Sequence, residues 1–473
     1  MLIKPLYVFG IDRVVQNTVG TNVYGSYFPL FNLVLIFQIF LDMGIENFTR
    51  KEVGEDETKT RSLLSKFLVI KLILSVLFIV IFSGIGYLLP HDHNEWKLLT
   101  LLIINQTIAS LILFLRANMG GLHLFKAESI TSVLDRLVMI LICGTLLIMP
   151  ITKQTFKIEW FVLSQTVAYL LTLLFSLIVV LRKTGKIRLK IDFRSYVPVL
   201  KQLKPYATLV LLMAFYYRID SIFLRYMLPN GREQAGIYAH GFRILDFLSN
   251  YALIFAFILL PTFAQLIKKK ESIAPLLRLS ALSLLIPSIS LLTGIAFYRE
   301  EIFALLYPGC SIHSANTFLI LTISFVGICF SYTFGALLTA NGNLRDLNKM
   351  ALTAMVISSV LNILLIPKYQ VIGAAISNAC SQLFTIGFHT LVATKRFNLK
   401  VDYSLLIRGV LFLIASIIWG IVIQKIGLNL IPGSITIAAG SFGFALLFQL
   451  LKVKYAIEFI RESILGKDLS TGK

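Results

Sequence analysis

Charge is scarce in this chain. Of its 473 residues only 14% are Asp, Glu, Lys or Arg, against about 25% in an ordinary soluble domain. Acids are scarcer than bases, 24 against 44, which leaves a net charge of +20. Cysteine is almost missing: Cys143, Cys329 and Cys380 lie in apolar runs and Cys310 in a loop, so no disulfide framework is built in. The N-terminus lacks the uninterrupted apolar core and small-residue cleavage site of a signal peptide. Polar stretches long enough to fold as a soluble domain are also absent, so whatever chemistry the chain performs takes place within the membrane.

What is abundant is apolar sequence, 57% of the chain with a mean hydropathy of +0.82. Runs suited to spanning a bilayer fall near 26–46, 63–89, 96–115, 129–149, 159–181, 205–228, 236–264, 276–298, 314–338, 349–366, 371–394, 405–423 and 433–451. Each approaches the roughly 20 residues that a transmembrane helix needs. An all-α polytopic membrane protein is therefore expected. Ahead of these runs, Lys4 to Val19 is interrupted by Asp12, Arg13, Gln16 and Asn17. It reads as a fourteenth span with its front cut off, as though the gene's start lay upstream of Met1.

Where the bases sit decides what they mean. Assigned to alternate sides of the expected spans, 30 Lys and Arg fall on one side and seven on the other, with seven more at membrane depth or at the extreme N-terminus. Such a bias marks the basic loops as cytoplasmic and places the C-terminus there too. Nucleic acid is excluded as a partner, because the charge belongs to loops flanking the membrane.

The most polar interior stretch, Arg182 to Lys204, has eight bases against one acid and divides the chain. The expected organisation is an N-terminal lobe (1–181), a basic cytoplasmic linker (182–204), a C-terminal lobe (205–394), and two further spans with a basic tail (395–473). The lobes echo each other. Ile11-Asp12-Arg13 with Val23-Tyr24-Gly25 resembles Arg218-Ile219-Asp220 with Gly236-Ile237-Tyr238, and Arg116-Ala117-Asn118-Met119-Gly120 resembles Thr339-Ala340-Asn341-Gly342. Two pseudo-symmetric six-helix lobes arranged as a parallel repeat, with a cavity between them, follow from this order.

Charges at membrane depth are the candidate functional groups, since each costs on the order of 2.5 to 3.5 kcal/mol at a helix centre. Arg218, Asp220, Arg225, Arg243 and Asp246 lie within one apolar hairpin. The three-residue spacing of Arg243 and Asp246 suits a pair within one helix, and Arg225 lies near enough to the span end to snorkel. Arg218 lies too deep for that. Arg13 stands in the corresponding part of the first lobe, and Lys71, Arg136, Asp12 and Asp42 add further charge. Several Arg and Lys around a cavity suit a phosphate-bearing ligand, because guanidinium forks grip phosphate oxygens in pairs. Neither metal nor cofactor is expected: His91-Asp92-His93 has no third ligand nearby.

Val19-Gly20-Thr21-Asn22-Val23-Tyr24-Gly25-Ser26-Tyr27, then Asp42-Met43-Gly44-Ile45 and Thr49-Arg50-Lys51, resembles the opening signature of Wzx-type polysaccharide flippases. Ala340-Asn341-Gly342, Leu361 to Pro367 and Gly373-Ala374-Ala375-Ile376-Ser377 resemble the C-terminal region of the same family, which is related to multidrug exporters of the MATE type and to lipid II flippases. The resemblance implies a two-lobed bundle, not an enzyme, that turns undecaprenyl-diphosphate-linked oligosaccharide from the inner to the outer leaflet of the bacterial cytoplasmic membrane, for O-antigen or capsule synthesis. Arg13, Arg218, Arg136, Lys71 and Arg243 would then meet the diphosphate and sugar, and Asp12, Asp220 or Asp42 would carry a coupling ion. Polysaccharide polymerase and chain-length regulator are the candidate protein partners. The rival readings are an exporter of small organic cations and a membrane-embedded polymerase or ligase. The latter is disfavoured because the longest outer loop, Arg299 to His313, is too short to house a catalytic site.

Overall fold

A computed structural model describes residues 3–55, 60–89, 92–185, 196–309, 312–399 and 402–450. His91, Cys310, positions 186–195 of the basic linker and the tail from 451 onward lie outside the described residues. Among the described residues every regular element is helical: α1 (Ile3–Pro5), α2 (Arg13–Ile36), α3 (Ile45–Glu55), α4 (Thr60–Leu88), α5 (His93–Gly121), α6 (Phe125–Ile148), α7 (Pro150–Gln154), α8 (Ile158–Thr184), α9 (Tyr196–Arg218), α10 (Asp220–Met227), α11 (Gly231–Lys269), α12 (Ala274–Leu306), α13 (Ile312–Ala340), α14 (Leu344–Phe397), α15 (Tyr403–Ile426) and α16 (Leu430–Leu447). A π-helical turn, Leu6–Asp12, joins α1 to α2, and a 3-10 turn, Phe37–Leu41, closes α2.

By length and composition eleven helical stretches suit a membrane span, and the pair Lys204–Arg218 with Asp220–Met227, bent by 50°, makes a twelfth. Two of the eleven are broken where the sequence pattern divides them. Gly20, at φ 80° and ψ 166°, interrupts Ile3–Leu41, and Gln370, at φ 50° and ψ −127°, interrupts α14. Backbone like that of Gly20 is open only to glycine. The run that the sequence pattern starts near residue 26 thus belongs to a helical stretch beginning at Ile3, with its polar front included.

The chain forms two compact units. One comprises 1–247 with 351–377, and the other 248–350 with 378–473. They partition the chain differently from its two sequence halves. In the first unit α5 packs on α8, α3, α2 and α4, and α6 on α8. Ile45, Leu64, Phe67, Phe114, Met119 and Val180 form a dry cluster there. In the second, α12 packs on α13, α15 and α16, around Ile286, Phe412 and Ala445 and around Tyr298, Ile423 and Ile437. Outward faces stay apolar, as Leu72, Val76 and Val80 along α4 show, since the surrounding lipid is as apolar as the core.

The repeated glycines meet in the first unit. A Cβ on Gly25 would lie 1.7 Å from the carbonyl oxygen of Arg232, four residues before Gly236. Reciprocally, one on Gly236 would lie 2.0 Å from the carbonyl oxygen of Thr21, four residues before Gly25. Backbones of α2 and α11 therefore cross in direct contact, a packing open only to residues without a side chain.

At the turn between α2 and α3, Lys71 of α4 is fully enclosed. Its Nζ lies 2.6 Å from Asp42, 2.9 Å from Ser110 and 3.7 Å from Glu46. Asp42 also accepts from the backbone N–H groups of Gly44 and Glu46. Burial first, and then the Asp42 charge, push the Glu46 carboxyl up to about 7.

Two predictions follow from these packings. Gly25→Ala or Gly236→Ala should each cost about 1–3 kcal/mol in a thermal melt, because the helices must part, and the double variant should cost less than the sum. A carboxyl raised in the folded state favours folding at low pH and loses that contribution as pH rises through its folded value. Melting temperature should therefore fall between about pH 5 and about pH 8, and Glu46→Gln should flatten that slope.

Candidate functional site

A buried polar network runs through the first unit. Its anchor is Asp12, at the end of the π-helical turn, a distortion that frequently accompanies functional sites. Asp12 accepts from Tyr24 Oη at 3.0 Å and from Gln16 Nε2 at 3.1 Å, and Arg243 Nε lies 3.3 Å away. Arg243 Nε also donates to Tyr24 Oη at 3.0 Å, and its guanidinium rests on the rings of Phe28 and Phe31. Sequence spacing had suggested Asp246 as the partner of Arg243. The partner is Asp12 instead, because that side of α11 faces the N-terminal helices.

The second half carries the same device. Asp220, fully buried at the start of α10, accepts from Tyr238 Oη at 2.8 Å and from Asn362 Nδ2 at 2.7 Å. Asn362 also donates to the Ser358 carbonyl at 2.9 Å. The repeat detected in the sequence is thus an aspartate held by a downstream tyrosine: Asp12 with Tyr24, Asp220 with Tyr238. Each aspartate sits beside a helix irregularity, the π-turn in one case and the 50° bend in the other. Superposing the two Ile-Asp pairs sets Arg13 against Ser221, so Arg13 and Arg218 do not occupy equivalent positions of the repeat.

Arg218 joins the halves of the first unit. Nη1 donates to Asn32 Oδ1 and Nη2 to Asp246 Oδ1, both at 3.0 Å. Asn32 Nδ2 donates in turn to Ser221 Oγ at 2.9 Å, which fixes the amide so that its oxygen faces the guanidinium. The Arg218 side chain stays 17% exposed and that of Arg243 13%. Each guanidinium has five N–H donors, more than these contacts use.

Other expected residues fall into place around them. Arg136 lies 3.5 Å from Asp135 and stacks over Tyr7, close enough to Arg243 for their charges to interact. Arg13 is half-buried, and its Nε makes no hydrogen bond. Lys71 and Asp42, by contrast, hold each other at the α2–α3 turn, where the lysine has no exposed surface. Arg225 does not snorkel: it grips Glu95, which is 3% exposed, at 2.9 and 3.1 Å. Among the described residues no three His, Cys, Asp or Glu side chains are placed to hold a metal.

Sequence reasoning singled out neither Asn32 nor Glu95. Each left one signal, a lone amide in the apolar run from Tyr27 to Ile36 and a lone acid opening the span at His93. Tyr238→Phe should destabilise the protein by about 1–3 kcal/mol, since the buried Asp220 carboxylate loses one of its donors. Tyr24→Phe should cost less, because Asp12 keeps Gln16 and Arg243; thermal melts of the two variants make the comparison.

A family model described as polysaccharide biosynthesis protein matches residues 6–267, more than half of the chain. No curated protein matches. Among solved structures, the lipid II flippase MurJ in an inward closed conformation has a TM-score of 0.62 at 13% identity, covering 97% of this chain and 100% of that one. An inward-facing multidrug resistance MATE family transporter of the MOP superfamily gives 0.62 at 13% identity, over 84% and 96% of the two chains. A MOP superfamily transporter from Pyrococcus furiosus, described as having a binding pocket of reverse polarity, gives 0.57 at 13%, over 82% and 97%. At such identities the structural likeness establishes the fold, and the family match establishes kinship: the chain belongs to the polysaccharide biosynthesis protein family.

Proposed function

We propose that this protein is a flippase that carries polyprenyl-diphosphate-linked oligosaccharide from the cytoplasmic to the outer leaflet of a bacterial inner membrane. A carrier rather than an enzyme fits both the family and a fold shared with a flippase and with MATE transporters. The single observation that carries the substrate class is Arg218. Counted from Lys204, where the apolar part of its bent span begins, it lies roughly 20 Å along the helix at 1.5 Å per residue, with donors to spare and exposed surface, inside a chain of the polysaccharide biosynthesis family.

The barrier to flipping is the passage of a sugar and diphosphate through hydrocarbon, while the polyprenyl tail stays in lipid. Arg218, Arg13, Arg136 and Arg243 supply fixed positive charge along that route, and paired N–H donors suit phosphate oxygens. The two lobes, 1–181 and 205–394, rock to alternate access to the site. Outward movement of negative charge is favoured by an inside-negative potential at about 2.3 kcal/mol per charge per 100 mV. The potential therefore drives export, and Asp12 and Asp220 serve to position the network, their oxygens being taken up by Tyr24, Gln16, Tyr238 and Asn362. A polysaccharide polymerase and a chain-length regulator would receive the product.

Complementation of a flippase-deficient strain tests this reading. Arg218→Ala should abolish surface polysaccharide while the protein still reaches the membrane. Arg218→Lys should be intermediate, since it keeps the charge but loses the fork, and Arg13→Ala should lower export. Full export by Arg218→Ala would remove Arg218 from the mechanism.

A further inference from the structure

In the first unit, α2, the start of α5, the start of α11 and the break in α14 lie against one another. The Gly25–Gly236 crossing brings the backbone of Arg232 against α2. Gln234 accepts from the Val371 N–H at 3.3 Å, beside the break in α14 at Gln370. The Arg232 side chain reaches Asp92, and its Nε donates to Glu95 Oε1 at 3.1 Å. Arg225 holds both oxygens of the same carboxylate. One buried glutamate is thus shared by two arginines from the hairpin that also carries Arg218.

The spacing within that hairpin is regular. Arg218, Arg225 and Arg232 follow one another at seven-residue intervals, and each is covered by a carboxylate: Asp246, Glu95, and Glu95 with Asp92. A carboxylate between two guanidinium groups occupies a place that a pair of phosphate oxygens would fill, since both accept charge-assisted hydrogen bonds from the same N–H donors. Arg225 is mostly enclosed, and leaving such a cation without its carboxylate is costly, so Glu95 withdraws from it only when another anion takes its place.

From this we infer that Arg225 and Arg232 form an outer diphosphate site, which Glu95 occupies while this end of the protein is closed and yields to the lipid-linked diphosphate as it leaves. The inference rests on the flippase reading and extends it: Arg218 takes the diphosphate at depth, and the outer pair takes it at the exit. Glu95 acts as a surrogate ligand that locks the outer end when no substrate is there.

The full chain tests it, with Cys143, Cys310, Cys329 and Cys380 replaced by serine and a reporter introduced by Ala239→Cys. Ala239 is fully buried and lies inward of Arg232. In proteoliposomes, Glu95→Gln should raise labelling by a membrane-impermeant maleimide several-fold. Adding Arg225→Gln should raise it no further, because the lock is already lost. In detergent, undecaprenyl diphosphate should bind Glu95→Gln about tenfold more tightly than the parent, the factor that one charge-assisted hydrogen bond supplies. Arg225→Gln with Arg232→Gln in the same background should cancel that gain. Glu95→Asp, whose shorter side chain cannot span both arginines, should shift both readouts the same way and serves if Glu95→Gln folds poorly. Labelling and affinity that ignore Glu95 while binding still requires Arg218 would overturn the outer site alone. Absence of polyprenyl diphosphate binding to every form would overturn the flippase reading itself.

Discussion

A guanidinium or carboxylate removed from water must be met by another polar group, and in a bilayer only the protein can provide one. The first unit is arranged around that constraint. Asp12 is met by Tyr24, Gln16 and Arg243, Asp220 by Tyr238 and Asn362, Arg218 by Asn32 and Asp246, and Arg225 by Glu95. Half of these contacts, Arg243 with Asp12, Asn362 with Asp220, Asn32 with Arg218 and Glu95 with Arg225, join helices far apart in sequence. They fix how α2, α5, α9, α10 and α11 face one another more tightly than apolar packing would, because lipid competes for apolar faces but not for buried charges.

Partial satisfaction is what gives the network its functional character. Lys71 shows the alternative: enclosed by Asp42, Ser110 and Glu46, it braces a turn. Arg218 and Arg243 keep part of the side chain exposed, 17% and 13%, and have more N–H donors than their contacts use. A cation positioned by part of its donor set keeps the remainder for a ligand, and its geometry is set before the ligand arrives. On the flippase reading proposed above, that is preorganisation for an anionic headgroup.

The glycine crossing shows how backbone contact and charge cooperate. Gly25 and Gly236 let α2 and α11 approach closely enough for the Arg232 carbonyl to touch α2, and the same residue's side chain reaches Asp92 and Glu95. Contact at the backbone level brings the charged groups within reach. The compact unit that results includes 351–377 of α14 as well as the N-terminal helices, an association that no linear division of the sequence would suggest.

Hydropathy and charge bias were sufficient for the helices, because burying some 20 apolar residues in a bilayer is decided locally, and the repeat was visible because its residues are alike in type. The sequence also marked Arg218 as the charge hardest to dismiss. Partner choice was not local. Arg243 and Asp246 stand three apart and could pair on one helix, yet Asp12, at the far end of the chain, takes Arg243, while Asp246 takes Arg218. Arg225 read as a residue near a span end and proved to hold a buried glutamate. Only the tertiary structure decided these pairings, because which face of a helix meets which neighbour depends on crossings such as Gly25 with Gly236, and no spacing within one helix encodes them.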